Sequence, residues 1–142
     1  MKKIYPVVIG LGYVGLPLFL RLIKKFKTIG YDLDHNRVNQ LKKGIDQNKE
    51  FKKKELKTKN SSVFSSQLKK SNLNRFYIIT VPTPVLSNKK PDLGPLKTAC
   101  KHLKKIANDG DIIFFESTVY PGLTRNLKET YFKNKKIYLG YS

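Results

Sequence analysis

Short apolar runs and amphipathic stretches alternate along the chain, and each change of period is marked by Gly, Pro or an acid. Residues 4–9 form an uninterrupted apolar run of the kind that a parallel strand covered on both faces requires, and it ends at Gly10. Residues 16–26 predict a helix that is apolar on most faces until Lys24 and Lys25, and residues 28–31 predict a second strand closed by Asp32. Asp34 reads as an N-cap, Val38 and Leu41 as a narrow apolar stripe, and Gly44 as the end of that helix. The lysine-rich segment 45–60 predicts a solvated helix or loop, residues 63–64 a short edge strand, and residues 76–81 a buried strand that stops at Pro82. After a loop at 88–91, Asp92 is expected to cap a helix with the apolar face Leu96, Cys100, Leu103 and Ala107, ended by Gly110. Residues 112–115 predict a fifth strand, 124–132 a helix and 137–139 a sixth strand.

Alternating strands and helices with short connections predict an α/β fold. The expected form is a Rossmann-type doubly wound parallel sheet of about six strands with helices on both faces. Pro6 resists this pattern, because proline deletes a ladder donor in what would be the central strand. It is therefore expected among the strand's first residues or where a missing N–H costs little.

Composition bounds the picture further. The 142 residues suffice for one domain of ordinary size, with no second independent core. A net charge of +19 raises nucleic acid or an anionic membrane as partners, but 25 of the 29 cations are Lys and only four are Arg. Bidentate phosphate and guanine recognition favours Arg. Ala occurs only twice, so the lysines read as compositional drift filling solvated positions. A basic nucleic-acid-binding module is thus the weaker alternative. Only salt-sensitive, sequence-indifferent association is expected from residues 42–70, where ten Lys stand against Asp46, Glu50 and Glu55.

The single Cys100 excludes an intrachain disulfide framework and a multi-cysteine zinc site, and no metal site is expected. A reducing, cytoplasmic location fits this usage. Lys2 and Lys3 ahead of an uncharged run imitate a secretion signal. Pro6, Gly10, Gly12, Gly15 and Pro17 interrupt it, no cleavage site follows, and no membrane span is expected.

The chemistry begins at Gly10-Leu11-Gly12-Tyr13-Val14-Gly15, a G-x-G-x-x-G pattern that follows a predicted strand and opens a predicted helix. Asp32 stands 22 residues after Gly10 at the end of the next strand. In this context Gly10 permits the tight turn, Gly12 lets backbone approach a pyrophosphate, and Gly15 allows close helix–strand packing. A phosphate would face the positive end of the helix dipole. Asp32 would accept hydrogen bonds from ribose hydroxyls and repel a 2′-phosphate, which selects NAD over NADP. Arg37 either lies along an adenine face or is an ordinary surface Arg on its helix. Val81-Pro82-Thr83-Pro84 and Glu116-Ser117-Thr118-Val119-Tyr120-Pro121-Gly122 fall at the carboxyl ends of two further strands, where ligands of open α/β sheets bind. Cys100 lies on an apolar helix stripe and reads as core, while His35 and His102 read as solvated helix residues.

These segments, together with Pro91-Asp92-Leu93 and Gly110-Asp111, occur in the order and spacing of the UDP-glucose/GDP-mannose dehydrogenase family, and the chain resembles its NAD-binding N-terminal domain over nearly its whole length. The Glu-Ser-Thr-Val-Tyr-Pro-Gly wording and the Ile29-Gly30-Tyr31-Asp32 strand most resemble the UDP-N-acetylhexosamine 6-dehydrogenases of surface-polysaccharide synthesis.

The resemblance implies oxidation of a sugar C6 alcohol to a carboxylate with two NAD molecules, through a thioester on an active-site cysteine. It implies NAD bound by Gly10, Gly12, Tyr13, Val14, Gly15, Asp32 and Arg37, with Val81, Pro82, Thr83, Glu116 and Ser117 bordering the cofactor. Thr118 would stand near the reacting centre in a supporting catalytic role. It further implies a UDP-sugar as substrate and homo-oligomeric full-length relatives.

The family's Pro-Glu-Arg, its nucleophilic Cys and its Lys and Asn lie beyond a Gly-Tyr-Ser that matches Gly140-Tyr141-Ser142. Residues 1–142 are accordingly expected to be an N-terminal NAD-binding fragment that binds cofactor without turnover. A regulatory or assembly subunit for a separate catalytic chain is a further alternative. Two departures stand out: Arg125 where relatives usually carry an acid, and a shortened segment before Gly140.

Overall fold

A computed structural model describes residues 3–117 and 120–142, and these described residues form six strands and four helices. In chain order these are β1 (Tyr5–Ile9), α1 (Gly15–Leu22), β2 (Ile29–Tyr31), α2 (His35–Lys42), β3 (Val63–Ser65), β4 (Arg75–Ile79), α3 (Gly94–Ile106), β5 (Ile112–Phe115), α4 (Leu123–Tyr131) and β6 (Tyr138–Tyr141). The pairings among these six strands are all parallel, in the order β3-β2-β1-β4-β5-β6. This is the doubly wound Rossmann arrangement that the alternation of patterns predicts. Its strand order reverses between β1 and β4, which opens a crevice at their carboxyl ends.

Two apolar layers sandwich the sheet. On one face Val8, Leu16, Phe19, Val38, Leu41 and Phe64 pack beneath α1 and α2. On the other, Val7, Tyr77, Ile79, Ile113 and Phe115 meet Leu96, Cys100, Leu103, Leu127 and Phe132 from α3, α4 and the residue after α4. The period-2 split of β1, with Val7 in one layer and Val8 in the other, explains why its sequence is apolar at consecutive positions.

Pro6 occupies the second residue of β1. The register with β2 begins only at Val7 and Ile29, whereas the Tyr5 N–H already bonds to Asn74 on the β4 side. Since successive N–H groups alternate between neighbours, the missing donor of Pro6 faces an unpaired stretch and costs little.

Several boundaries differ from those that pattern alone predicts. Helix α1 ends at Leu22 rather than 26, because Lys24 and Lys25 bond three residues back and the Asn60 amide takes the Ile23 carbonyl at 2.7 Å. Asp92 lies one residue outside the cap of α3, its carboxylate accepting the Gly94 N–H at 2.8 Å. The segment 45–60 has no helix and is not uniformly solvated, since Asp46 and Leu56 are buried in it. Lys2 and Thr118 lie outside the described residues. Among the described residues no helix is long and apolar enough to cross a membrane, and no group of three or more His, Cys, Asp or Glu is placed to hold a metal.

Cys100 is completely buried on the inner face of α3, and that burial pushes its thiol up to about 12. A thiol reagent should therefore modify it only as fast as the domain opens, at a rate that climbs steeply with urea. Labelling of the native chain at the rate of a free cysteine would contradict this packing.

Candidate functional site

The crevice at the strand reversal holds a cavity of about 730 Å³ lined by residues from four elements. Ile9, Gly10 and Gly12 come from the end of β1, and Tyr31, Asp32 and Leu33 from the end of β2. Thr80, Val81 and Pro82 follow β4, and Pro95, Thr98, Ala99, Lys101, His102 and Lys105 come from α3.

The turn between β1 and α1 is held by contacts that leave no room for substitution. Gly10 has φ of +96°, and a Cβ on Gly15 would lie 1.7 Å from the Gly10 carbonyl oxygen and 2.4 Å from Thr80 Oγ1. Thr80 itself donates its hydroxyl toward the carbonyls of Ile9 (3.0 Å) and Gly10 (2.7 Å), fastening β4 to the turn. By contrast, a Cβ on Gly12 would meet nothing within 4 Å. The bare backbone there faces open space, which suits a ligand that must approach closely. Among the described residues no acceptor takes the N–H groups of Gly12, Tyr13, Val14 or Gly15. They form the unsatisfied N-terminal turn of α1 and make a positive pole suited to a diphosphate. Tyr13 and Val14 are both more than half exposed.

Asp32 is half-buried at the rim. One carboxylate oxygen accepts the Leu11 N–H at 2.7 Å and the other accepts the Asp34 N–H at 3.0 Å. Each oxygen keeps a lone pair for a ribose hydroxyl. Asp34 caps α2 as its sequence position predicts, accepting from Asn36 and Arg37.

Arg37 is neither the surface residue nor the free adenine platform that the sequence left open. It is 4% exposed, with Nε donating to the Leu11 carbonyl at 2.9 Å and Nη1 to Asp46 at 2.8 Å. The Asp46 side chain is fully buried. Burial pulls its pKa up, but the Arg37 guanidinium and the N–H groups of Asn48, Glu50 and Phe51 outweigh this and hold the carboxyl below its usual value. Such a buried pair forms because Asp46 closes the turn after α2 and collects three local donors.

His102 is likewise not a solvated helix residue. Its Nε2 lies 3.1 Å from the Leu68 carbonyl, which can only accept, so Nε2 carries the proton and Nδ1 accepts from the Tyr31 hydroxyl at 3.2 Å. The two rings meet edge to face at 5.5 Å. Burial and the nearby Asp32 raise the Tyr31 pKa, so this phenol stays a donor at neutral pH. Both imidazole nitrogens are spent inside the protein, and the ring presents the cavity with carbon. This wall of α3 was missed in the sequence, although Pro95, Thr98, Ala99, His102 and Lys105 recur at helical spacing beside the core stripe.

Thr83, Glu116 and Ser117 are not among the residues that line this cavity. Ser117 donates to the Val81 carbonyl at 2.6 Å, tying together the segments that follow β4 and β5. Glu116 is exposed and accepts from the Ser142 hydroxyl at 3.0 Å. Thr83 is half-buried, and Thr118 lies outside the described residues. His35 is exposed at the start of α2, as its position predicts. Gly15→Ala should cost about 3 kcal/mol of stability through overpacking. Gly12→Ala should leave the urea midpoint close to that of the parent while weakening dinucleotide binding. Equal midpoints for the two variants would refute the assigned roles.

Comparison with known proteins agrees with this geometry. Residues 3–141 match the UDP-glucose/GDP-mannose dehydrogenase family, NAD binding domain. The chain is 42% identical over 144 residues to a UDP-N-acetyl-D-glucosamine 6-dehydrogenase of Salmonella typhi, covering 95% of this chain and 33% of that protein. It is 42% identical over 124 residues to the enzyme of the same name from Pseudomonas aeruginosa, covering 87% of this chain and 29% of that protein. The chain thus spans about a third of the length of these curated relatives. Among solved structures, a UDP-D-ManNAc dehydrogenase from Pyrococcus horikoshii superposes with a TM-score of 0.80 at 25% identity, over 96% of this chain and 35% of that one. A GDP-mannose dehydrogenase from Pseudomonas aeruginosa shares the fold at a TM-score of 0.81 and 21% identity, over 96% of this chain and 35% of that one. The chain belongs to the UDP-glucose/GDP-mannose dehydrogenase family and is its NAD-binding domain.

Proposed function

We propose that this domain serves a nucleotide-sugar 6-dehydrogenase that oxidises the C6 alcohol of a UDP-N-acetylhexosamine to the uronic acid. The 42% identity to two UDP-N-acetyl-D-glucosamine 6-dehydrogenases carries the choice of substrate class. Within the domain, the N–H groups from Gly12 to Gly15, including Tyr13 and Val14, hold the pyrophosphate, Gly10 shapes the turn, and Asp32 takes the adenosine ribose. The observation that supports these roles is the open backbone at Gly12 beside unsatisfied helix N–H groups and a carboxylate with free lone pairs. Val81, Pro82, Thr83, Glu116 and Ser117 border the nicotinamide end, and Thr118 is assigned the supporting catalytic role that the family resemblance implies. Arg37 serves the cofactor through the turn rather than by stacking on adenine.

NAD, when bound, accepts the hydride taken from the sugar. The chain's own part is to bind and orient it. Trapping the aldehyde on the way to an acid needs a thiolate, and Cys100, the chain's single cysteine, is core-buried with its thiol pushed up to about 12. Cys100 is therefore not the nucleophile in this reading, and the UDP-sugar site and homo-oligomeric assembly are assigned to the two thirds of the relatives' length that this chain does not span. A cytoplasmic location goes with the lone reduced cysteine. Specific nucleic-acid recognition is no part of this reading, since the surface cations are almost all Lys.

Titration with NADH and NADPH should show tighter binding of NADH. Asp32→Ala should weaken NADH by about 1.5–3 kcal/mol, the range of one charge-assisted hydrogen bond. Preference for NADPH would overturn the role given to Asp32. The 142-residue chain mixed with NAD and UDP-N-acetylglucosamine should produce no NADH by absorbance. Turnover that vanishes in Cys100→Ser would refute the exclusion of Cys100 as the nucleophile.

A further inference from the structure

We propose that Asp46, which does not line the cavity, acts through Arg37 as a positioning residue that sets the orientation of the glycine-rich turn and hence the affinity for a pyrophosphate. The proposal rests on the NAD reading of the site. A trans peptide unit is planar, with its C=O and N–H pointing in opposite directions. Whatever captures the Leu11 carbonyl therefore also aims the Gly12 N–H. Arg37 Nε makes that capture at 2.9 Å on the protein side, which turns the Gly12 N–H the other way, into the open space beside Gly12. Thr80 does the same one unit earlier, holding the Gly10 carbonyl at 2.7 Å, while the Leu11 N–H meets Asp32 at 2.7 Å. Two successive peptide units are thus gripped by side chains before the free N–H groups begin.

Arg37 can hold this position only while its charge is answered from behind. Asp46 supplies the answering carboxylate at 2.8 Å, and among the described residues this is the salt bridge that forms. Asp46 is in turn fixed by three backbone N–H groups from Asn48, Glu50 and Phe51. The guanidinium is already under-satisfied, since Nη2 is buried without an acceptor, and Gln40 Oε1, one turn along α2, is buried without a donor. Removing the Asp46 charge weakens the hold on the guanidinium, because an amide in its place either turns its NH2 toward Arg37 or, keeping its oxygen there, faces the Glu50 and Phe51 N–H groups with a donor, while Gln40 offers an alternative acceptor on the same helix. The Leu11 carbonyl is then released to swing toward the phosphate side, where its oxygen repels the ligand.

The test compares the parent chain with Asp46→Asn, Arg37→Lys and the double variant, each confirmed folded by circular dichroism, using NADH, ADP-ribose and adenosine as ligands. Arg37→Lys keeps a cation for Asp46 but offers one donor nitrogen where the guanidinium uses two, Nε for Leu11 and Nη1 for Asp46, so it decides the question if Asp46→Asn does not fold. Each single variant should bind NADH and ADP-ribose about tenfold more weakly, as one charge-assisted hydrogen bond carries. Adenosine should change by less than about twofold, because the Asp34 N–H still holds Asp32. The double variant should lose no more than either single one, since all act through one chain of contacts.

Unchanged NADH affinity in a folded single variant would overturn the proposal. So would an equal loss for adenosine, which would mean general loosening, or additive losses in the double variant. A parent chain that binds neither NADH nor ADP-ribose would sink the cofactor reading and this proposal with it.

Discussion

The approach of Gly15 to the Gly10 carbonyl is the constraint on which the rest of the molecule depends. It brings the first turn of α1 down onto the end of β1 so closely that a side chain at Gly15 would overlap the backbone, with Thr80 filling the third side. Because of that contact, α1 leaves the sheet at an angle that lays Leu16 and Phe19 over Val8 and buries Phe19 against Phe64 at the β3 edge. The same contact leaves the first N–H groups of the helix without acceptors among the described residues, beside the crevice that Gly12 lines, where the strand order reverses. Packing and binding are two results of one geometric requirement.

Around that contact the site is built from side chains that spend their polarity on the protein's own backbone. Thr80 holds the carbonyls of Ile9 and Gly10, Arg37 that of Leu11, Ser117 that of Val81, and His102 that of Leu68. Each capture removes a carbonyl oxygen from competition and stiffens a loop that would otherwise be free to relax. What remains available to a ligand is a row of N–H groups, one carboxylate and an apolar wall, a set matched to a diphosphate, a ribose and a flat base.

The electrostatics follow a similar division. The chain carries +19, yet among the described residues a single salt bridge forms, and it is buried. The exposed lysines are answered by solvent and counterions, so they contribute little to the architecture. The one ion pair withdrawn from water reaches the nucleotide turn through a single hydrogen bond. Desolvation makes such a pair expensive to break, and this gives the turn its rigidity.

The sequence by itself determined the parallel α/β layout, since consecutive apolar runs of strand length separated by amphipathic stretches have few other ways to bury both faces. It also determined the dinucleotide turn, because Gly10 and Gly15 stand where the backbone leaves no place for a Cβ and Gly12 keeps the backbone bare for a close approach, and it determined Asp32 at the end of β2. These features are local: strand period, glycine spacing and an acid at a strand end are all read within about a turn of chain.

Only the tertiary structure decided the fates of Arg37, Asp46, His102 and Thr80. Arg37 and Asp46 look like two more charges in a highly charged stretch until the loop after α2 folds back and excludes water from both. His102 looks like a solvated residue on α3 until β2 and the segment around Leu68 supply partners from 71 and 34 residues away. Thr80 looks like a strand terminus until β1 arrives beside it, 70 residues distant in sequence from Gly10. A residue's role follows from the partners that desolvate and hydrogen-bond it, and when those partners come from distant parts of the chain no sequence window contains them.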